Sequence, residues 1–157
     1  MVSITLPDDS VRSFDGPVSG ADIAADIGPG LARAAIAARV NGGVWDLKRP
    51  IEEDSKVALI TLKDDDETVY DLLRHDAAHV MAEAVKELYP DTQVTIGPNI
   101  QDGLYYDFSR SEPFTPEDLE RIEERMRDIV ARDEAVEREV WDRNEAVEFF
   151  KGKGEHY

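Results

Sequence analysis

The sequence predicts an α+β protein made of two small units, and three features carry that prediction. Short runs of alternating apolar and polar residues, punctuated by turn formers, fill positions 1–62 and mark half-buried strands. A charged run without apolar anchors, Lys63-Asp64-Asp65-Asp66-Glu67, then breaks the pattern, and residues 63–69 read as a linker. From Tyr70 the periodicity becomes that of a long amphipathic helix, which opens a second unit over 70–157.

In the first unit, Val2, Ile4 and Leu6 alternate with polar residues, Pro7-Asp8-Asp9-Ser10 has turn chemistry, and Val11–Phe14 resumes the alternation. These segments make an N-terminal hairpin. Ser19 is placed to cap a helix over Ala21–Asp26, with Asp22 at the third helical position closing a capping box, and Gly28-Pro29-Gly30 ends it. Leu31–Val40 is Ala-rich and open between helix and strand. Its end, Ile36–Val40, followed by Asn41-Gly42-Gly43 and Val44–Leu47, reads as a second hairpin. Val57–Leu62 supplies a last apolar strand. One helix lying across one face of such a sheet is the order of a ubiquitin-like β-grasp domain.

The second unit opens with a helix over Tyr70–Leu88, stopped by Pro90, whose apolar stripe is Leu73, Ala77, Val80, Ala84 and Leu88. Thr92–Ile96 and Leu104–Phe108 read as strands around the Gly97-Pro98-Asn99 turn. Thr115-Pro116-Glu117-Asp118 is a helix start, with Thr115 as cap, Pro116 at the first helical position and two acids at the positive end of the dipole. Leu119, Ile122, Met126, Ile129 and Val130 form that helix's apolar face. Val136–Trp141 reads as a strand and Glu145–Phe150 as a short helix.

Composition removes several function classes. The 157 residues hold 35 acidic against 18 basic side chains, a net charge of −17, spread as −6 over residues 1–69 and −11 over 70–157. Phosphate-backbone binding needs clustered cations, so neither unit alone reads as more than a weak nucleic-acid binder. No apolar stretch approaches the ~20 residues needed to cross a membrane. The absence of cysteine excludes disulfides, thiolate nucleophiles and Cys-held zinc within these residues. With no signal-peptide pattern behind Met1, a soluble cytoplasmic protein is the expectation.

The sharpest chemical feature is His75 and His79. Four residues apart on a helix, they point the same way, about 40° apart around the axis. That spacing suits two imidazoles acting on one substrate or taking two of a metal ion's ligand positions. The run is H-D-A-A-H, so the Glu of an H-E-x-x-H metalloprotease is missing. A metal needs further ligands, and His156 in the terminal tail is the only other histidine. On spacing alone, a solvated surface pair is an equal reading. Tyr105, Tyr106 and Phe108 are candidates for stacking on bases or a ribose, with core packing as the alternative for Phe108. Ile96-Gly97-Pro98 and Asp102-Gly103 read as turns, the Glu/Arg-rich Glu120–Arg132 as a solvated face, and Lys151–Gly154 as a connector.

With these pieces laid out, the chain resembles the N-terminal part of the bacterial threonyl-tRNA synthetases. Residues 1–62 look like their TGS domain, through I-T-L-P-D-D-S at Ile4–Ser10, D-I-A-A-D-I at Asp22–Ile27, V-N-G-G-V-W-D-L at Val40–Leu47 and P-I-E-E-D-S-K-V at Pro50–Val57. Residues 70–157 look like the opening of the family's editing domain. The matching motifs are L-R-H-D-A-A-H at Leu73–His79, E-L-Y-P at Glu87–Pro90, I-G-P at Ile96–Pro98, D-G-L-Y-Y-D-F at Asp102–Phe108 and F-T-P-E-D-L at Phe114–Leu119. Each motif is weak alone; the ordered set over the whole chain is specific.

The resemblance implies an ATP-dependent ligase that attaches threonine to its tRNA and hydrolyses serine wrongly attached there. His75 and His79 occupy the positions of the family's editing-site histidines. Asp76 stands where many relatives have Ser, and Leu104 where Phe is common. The family completes its editing site with a later C-x-x-x-H segment that this chain lacks, and with a lysine after a G-E-x-Y pattern that here spans Gly154–Tyr157. The expectation is therefore a piece ending inside an incomplete editing domain, unable by itself to charge tRNA or edit efficiently. Zinc, ATP and magnesium belong to the absent catalytic core, and the tRNA acceptor end and a homodimeric partner to the full enzyme. Two other readings stand beside this one: a non-catalytic TGS module that binds a ligand or partner, and a free-standing editing factor acting in trans.

Overall fold

The structure, a computed structural model, describes residues 1–156 and divides into two compact units, Met1–Val69 and the residues from Tyr70 onward. Tyr157, the last residue of the G-E-x-Y pattern, lies outside the described residues.

In the first unit, β1 (Val2–Thr5) buries Val2 and Ile4 on one side and turns into the antiparallel β2 (Val11–Phe14). Asp8 accepts hydrogen bonds from the N–H and the hydroxyl of Ser10 within that turn. The two-residue β3 (Val18–Ser19) leads into α1 (Gly20–Ile27) through the expected capping box. The Ser19 hydroxyl accepts the Asp22 N–H at 3.2 Å, and the Asp22 carboxylate accepts the Ser19 N–H at 3.0 Å. The ambiguous Leu31–Val40 segment divides: α2 (Pro29–Ala34) starts on Gly28, and β4 (Ala35–Val40) begins at the next residue. Asn41 (φ 49°) and Gly42 (φ 91°) then form a two-residue turn into β5 (Gly43–Trp45), both left-handed as the primed hairpin turn requires. β5 is shorter than expected because the Asp46 carboxylate takes the Lys48 N–H at 2.6 Å and bends the chain away.

β6 (Pro50–Ile51) pairs with β3, a ladder too short to show in the sequence pattern, and β7 (Ser55–Thr61) completes the sheet. The strand order is β2-β1-β7-β4-β5, with β1 and β7 parallel and the other neighbours antiparallel. This is the β-grasp arrangement. Its core is Val2, Ile4, Leu6, Val18, Ile23, Ala38, Val40, Ile51 and Val57.

The expected linker needs correction. α3 (Glu67–Leu88) starts inside it, so residues 67–69 are helical. Asp66 explains the early start: its carboxylate accepts the Thr68 N–H at 2.9 Å and its carbonyl accepts the Val69 N–H. Arg39 fixes this start from the sheet, donating to Asp66 at 2.8 Å and to Thr68 at 3.0 Å.

In the second unit the expected strands shrink to two-residue ladders. β8 (Gln93–Val94) pairs with β11 (Phe108–Ser109), and β9 (Asn99–Ile100) pairs with β10 (Gly103–Leu104). α4 (Pro116–Arg132) has the predicted capping box between Thr115 and Asp118. The core is Ala84 and Val85 of α3 against Ile122 and Ile129 of α4, flanked by Met81, Leu88, Tyr89, Phe108, Phe114 and Met126. Each fully buried valine or isoleucine of this core contributes roughly 1.5–3 kcal/mol. Leu73 of the expected α3 stripe is exposed, as are Leu119 and Val130 of α4. The helices touch over the turns carrying Ala84, Ile122 and Ile129, and these three residues fall outside that patch.

Glu87 fastens α3 to α4, accepting from Arg132 at 2.6 and 2.8 Å and from Arg125 at 2.9 Å. Those hydrogen bonds, Arg132's first, hold its carboxyl at about 2. The expected strand at Val136–Trp141 does not form: the segment is irregular, and Val136 and Val140 stand in solvent with no ladder partner among the described residues. α5 (Arg143–Gly152) is longer than its predicted Glu145–Phe150 and takes in the start of the Lys151–Gly154 connector.

Candidate functional site

Helix α3 buries Ala78, Ala84 and Val85 and half-buries Met81 and Leu88, which turns His75 and His79 out toward solvent. Successive turns stack the two imidazoles, as i and i+4 spacing dictates. Their Nε2 atoms lie 2.9 Å apart, and the rings meet edge to face with centroids at 4.5 Å and an interplanar angle of 78°. A hydrogen bond between two imidazole nitrogens needs one donor and one acceptor, so at least one ring is neutral in this arrangement. The structure therefore brings together the two residues singled out from the sequence.

Among the described residues no group of three His, Cys, Asp or Glu side chains is arranged to hold a metal ion. His156 lies elsewhere: its N–H donates to the Gln93 side chain at 3.0 Å, while neighbouring Glu155 pairs with Lys86 at 2.7 Å. Asp76 is exposed on the histidine helix.

The aromatic cluster separates by role. Phe108 belongs to the core and meets Phe114 edge to face at 5.8 Å, which settles it as packing. Tyr106, in the irregular segment between β10 and β11, stacks on Phe108 at 4.8 Å with only 16° between the rings. Burial raises the Tyr106 phenol above its ordinary pKa. Tyr105, of opposite parity, is half exposed. Gly97 permits the stack: a Cβ on it would lie 2.1 Å from the Tyr106 ring.

One residue of this region carried no signal in the sequence. The Asn99 amide donates at 2.8 Å to the carbonyl of Asp71, one helical turn before His75, and ties the β9–β10 hairpin to the histidine helix. Only the general tendency of Asn to bond backbone groups pointed there, and it names no partner.

Comparison with known proteins adds to this geometry. Residues 2–61 match the TGS domain family. Over all 157 residues the chain is 63% identical to the threonine–tRNA ligase of Rhodospirillum rubrum, 61% to that of Granulibacter bethesdensis and 60% to that of Paramagnetospirillum magneticum. It spans 24% of the length of each of these curated relatives.

Proposed function

We infer that this chain, which holds a TGS domain at residues 2–61 and corresponds along its whole length to the N-terminal part of threonine–tRNA ligase, is the proofreading end of such an enzyme. The full enzyme attaches threonine to its tRNA at the expense of ATP, works in the cytoplasm as a homodimer, and removes serine attached in error. This segment contributes the TGS domain and part of the editing site.

The need for editing is a matter of free energy. Serine lacks one methyl group of threonine, and a binding pocket extracts only about 1–3 kcal/mol from that difference. A second, hydrolytic site restores accuracy. There, water attacks the ester carbonyl carbon, the bond to the ribose oxygen breaks, serine leaves as its carboxylate, and the ribose hydroxyl takes a proton. His75 and His79 suit the proton movements, because a mutually hydrogen-bonded pair presents an acceptor and a donor on one exposed face. The observation that carries the reading is their 2.9 Å juxtaposition on the outward side of α3. With a net charge of −17 here, most of the affinity for the tRNA backbone comes from residues beyond this segment.

Charging assays test the reading. Supplied with serine in place of threonine, the full-length ligase carrying His75→Ala or His79→Ala accumulates Ser-tRNA, whereas the parent enzyme does not. Failure of both variants to accumulate it would remove the histidines from editing.

A further inference from the structure

We propose that the open face of the first unit's sheet holds a binding site for a hydroxyl-bearing phosphate monoester, such as a sugar or nucleoside phosphate. α1 covers one face of the sheet. On the other, the strand registers set Thr5 beside Lys56 and Arg39 beside Ala58. A shallow bowl of about 340 Å³ lies there, at the lower end of the size of small-molecule sites. Thr5 and Ala58 line it with small side chains, Pro7 and Asp9 of the first turn wall one side, and Gly42 of the second turn another.

Two cations overlook this bowl in a unit where 13 acids outnumber seven bases. Arg39 is held in place by Asp66 and Thr68, so its guanidinium is positioned before any ligand arrives. Lys56 is exposed, and its ammonium makes no ion pair among the described residues. Residues 39 and 56 are diagonal neighbours across β4 and β7, a spacing of roughly 7–8 Å at the backbone, which one phosphate group spans between their long side chains. Asp9 is the only carboxylate among the lining residues and cannot face that phosphate; it suits the hydroxyls of the same ligand. An arginine oriented by its ion pair with Asp66 and a lysine without an ion pair among the described residues at one end, with a hydrogen-bond acceptor at the other, match a phosphate ester of a sugar better than either bare phosphate or a neutral sugar. This site is independent of the histidine pair, and no part of the editing reading enters it.

The test is an amide NMR titration of this 157-residue chain with ribose 5-phosphate, inorganic phosphate and ribose, at ionic strength held constant with sodium chloride. Ribose 5-phosphate should shift the amides of Thr5, Gly42 and Ala58 at lower concentration than inorganic phosphate, and ribose should leave them in place. Lys56→Gln should weaken the ribose 5-phosphate affinity about fivefold or more. Asp9→Asn should reduce its advantage over inorganic phosphate. Unchanged spectra elsewhere in the sheet report that each variant remains folded. Absence of shifts at these three amides, equal shifts in Lys56→Gln, or the same shifts from sodium chloride alone would each overturn the proposal.

Discussion

Replacing Gly97 with Ala asks whether the Tyr106–Phe108 stack is as tightly set as its geometry implies. A methyl group at position 97 would lie 2.1, 2.3 and 2.7 Å from three atoms of the Tyr106 ring. Carbon atoms make ordinary contact at about 3.5–4.0 Å, so the ring or the chain must move by about 1.5 Å. Neither moves freely. The ring lies flat on Phe108, which is packed into the α3–α4 core. The chain beside Gly97 is pinned by the Asp107 N–H to the Ile96 carbonyl at 2.8 Å and by the Thr95 N–H to the Asp107 carbonyl at 3.2 Å. Gly97 does not have a left-handed φ, so the backbone itself accepts alanine and the cost is purely steric.

Overpacking of this kind costs about 2–3 kcal/mol, which for a unit of this size lowers Tm by about 10 °C. Thermal unfolding followed by circular dichroism reads this directly. Gly30→Ala serves as the control, because a Cβ there meets nothing within 4 Å and the helical position favours alanine. A double-mutant cycle with Tyr106→Ala should show that most of the penalty depends on the ring. A Gly97→Ala protein melting within 2 °C of the parent would refute the close packing of this stack.

Other consequences can be measured in the same preparations. Because Glu87's carboxyl is depressed from 4.5 to about 2, its contribution is full above pH 4.5 and is lost as the pH falls through 2; Glu87→Gln should therefore flatten the acid limb of the stability curve between those values. Thr115→Ala removes the acceptor for the Asp118 N–H at the start of α4 and should cost about 1 kcal/mol in denaturant unfolding. Ile4→Ala, at a side chain with 0% exposure, should destabilise the first unit by about 2–5 kcal/mol, measured by hydrogen exchange of the sheet amides.

What could be read from the sequence was local chemistry with a fixed geometric demand. Ser19 with Asp22 and Thr115 with Asp118 announce their helix starts because a cap and its partner lie three residues apart wherever the helix sits. Asn41-Gly42 announces its hairpin because few other residues accept two left-handed conformations in a row. His75 and His79 were legible as a pair because helical spacing alone aligns them. The β3–β6 ladder and the shortened strands of the second unit depend on partners distant in sequence, and two residues cannot display a period. Leu73, Leu119 and Val130 have the right periodicity for burial, but periodicity does not say how far along a helix its neighbour extends. Asn99 reaches Asp71 across 28 residues, a contact that no local rule contains.

The most direct measurement is single-turnover hydrolysis of preformed Ser-tRNA by the full-length ligase and its His75→Ala/His79→Ala variant, with threonine charging followed in parallel. The expected result is a loss of deacylation by two orders of magnitude or more, in keeping with removal of general acid–base groups, while charging proceeds at the parent rate. Deacylation at the parent rate in the double variant would show that the paired imidazoles on α3 are a surface feature without a part in proofreading.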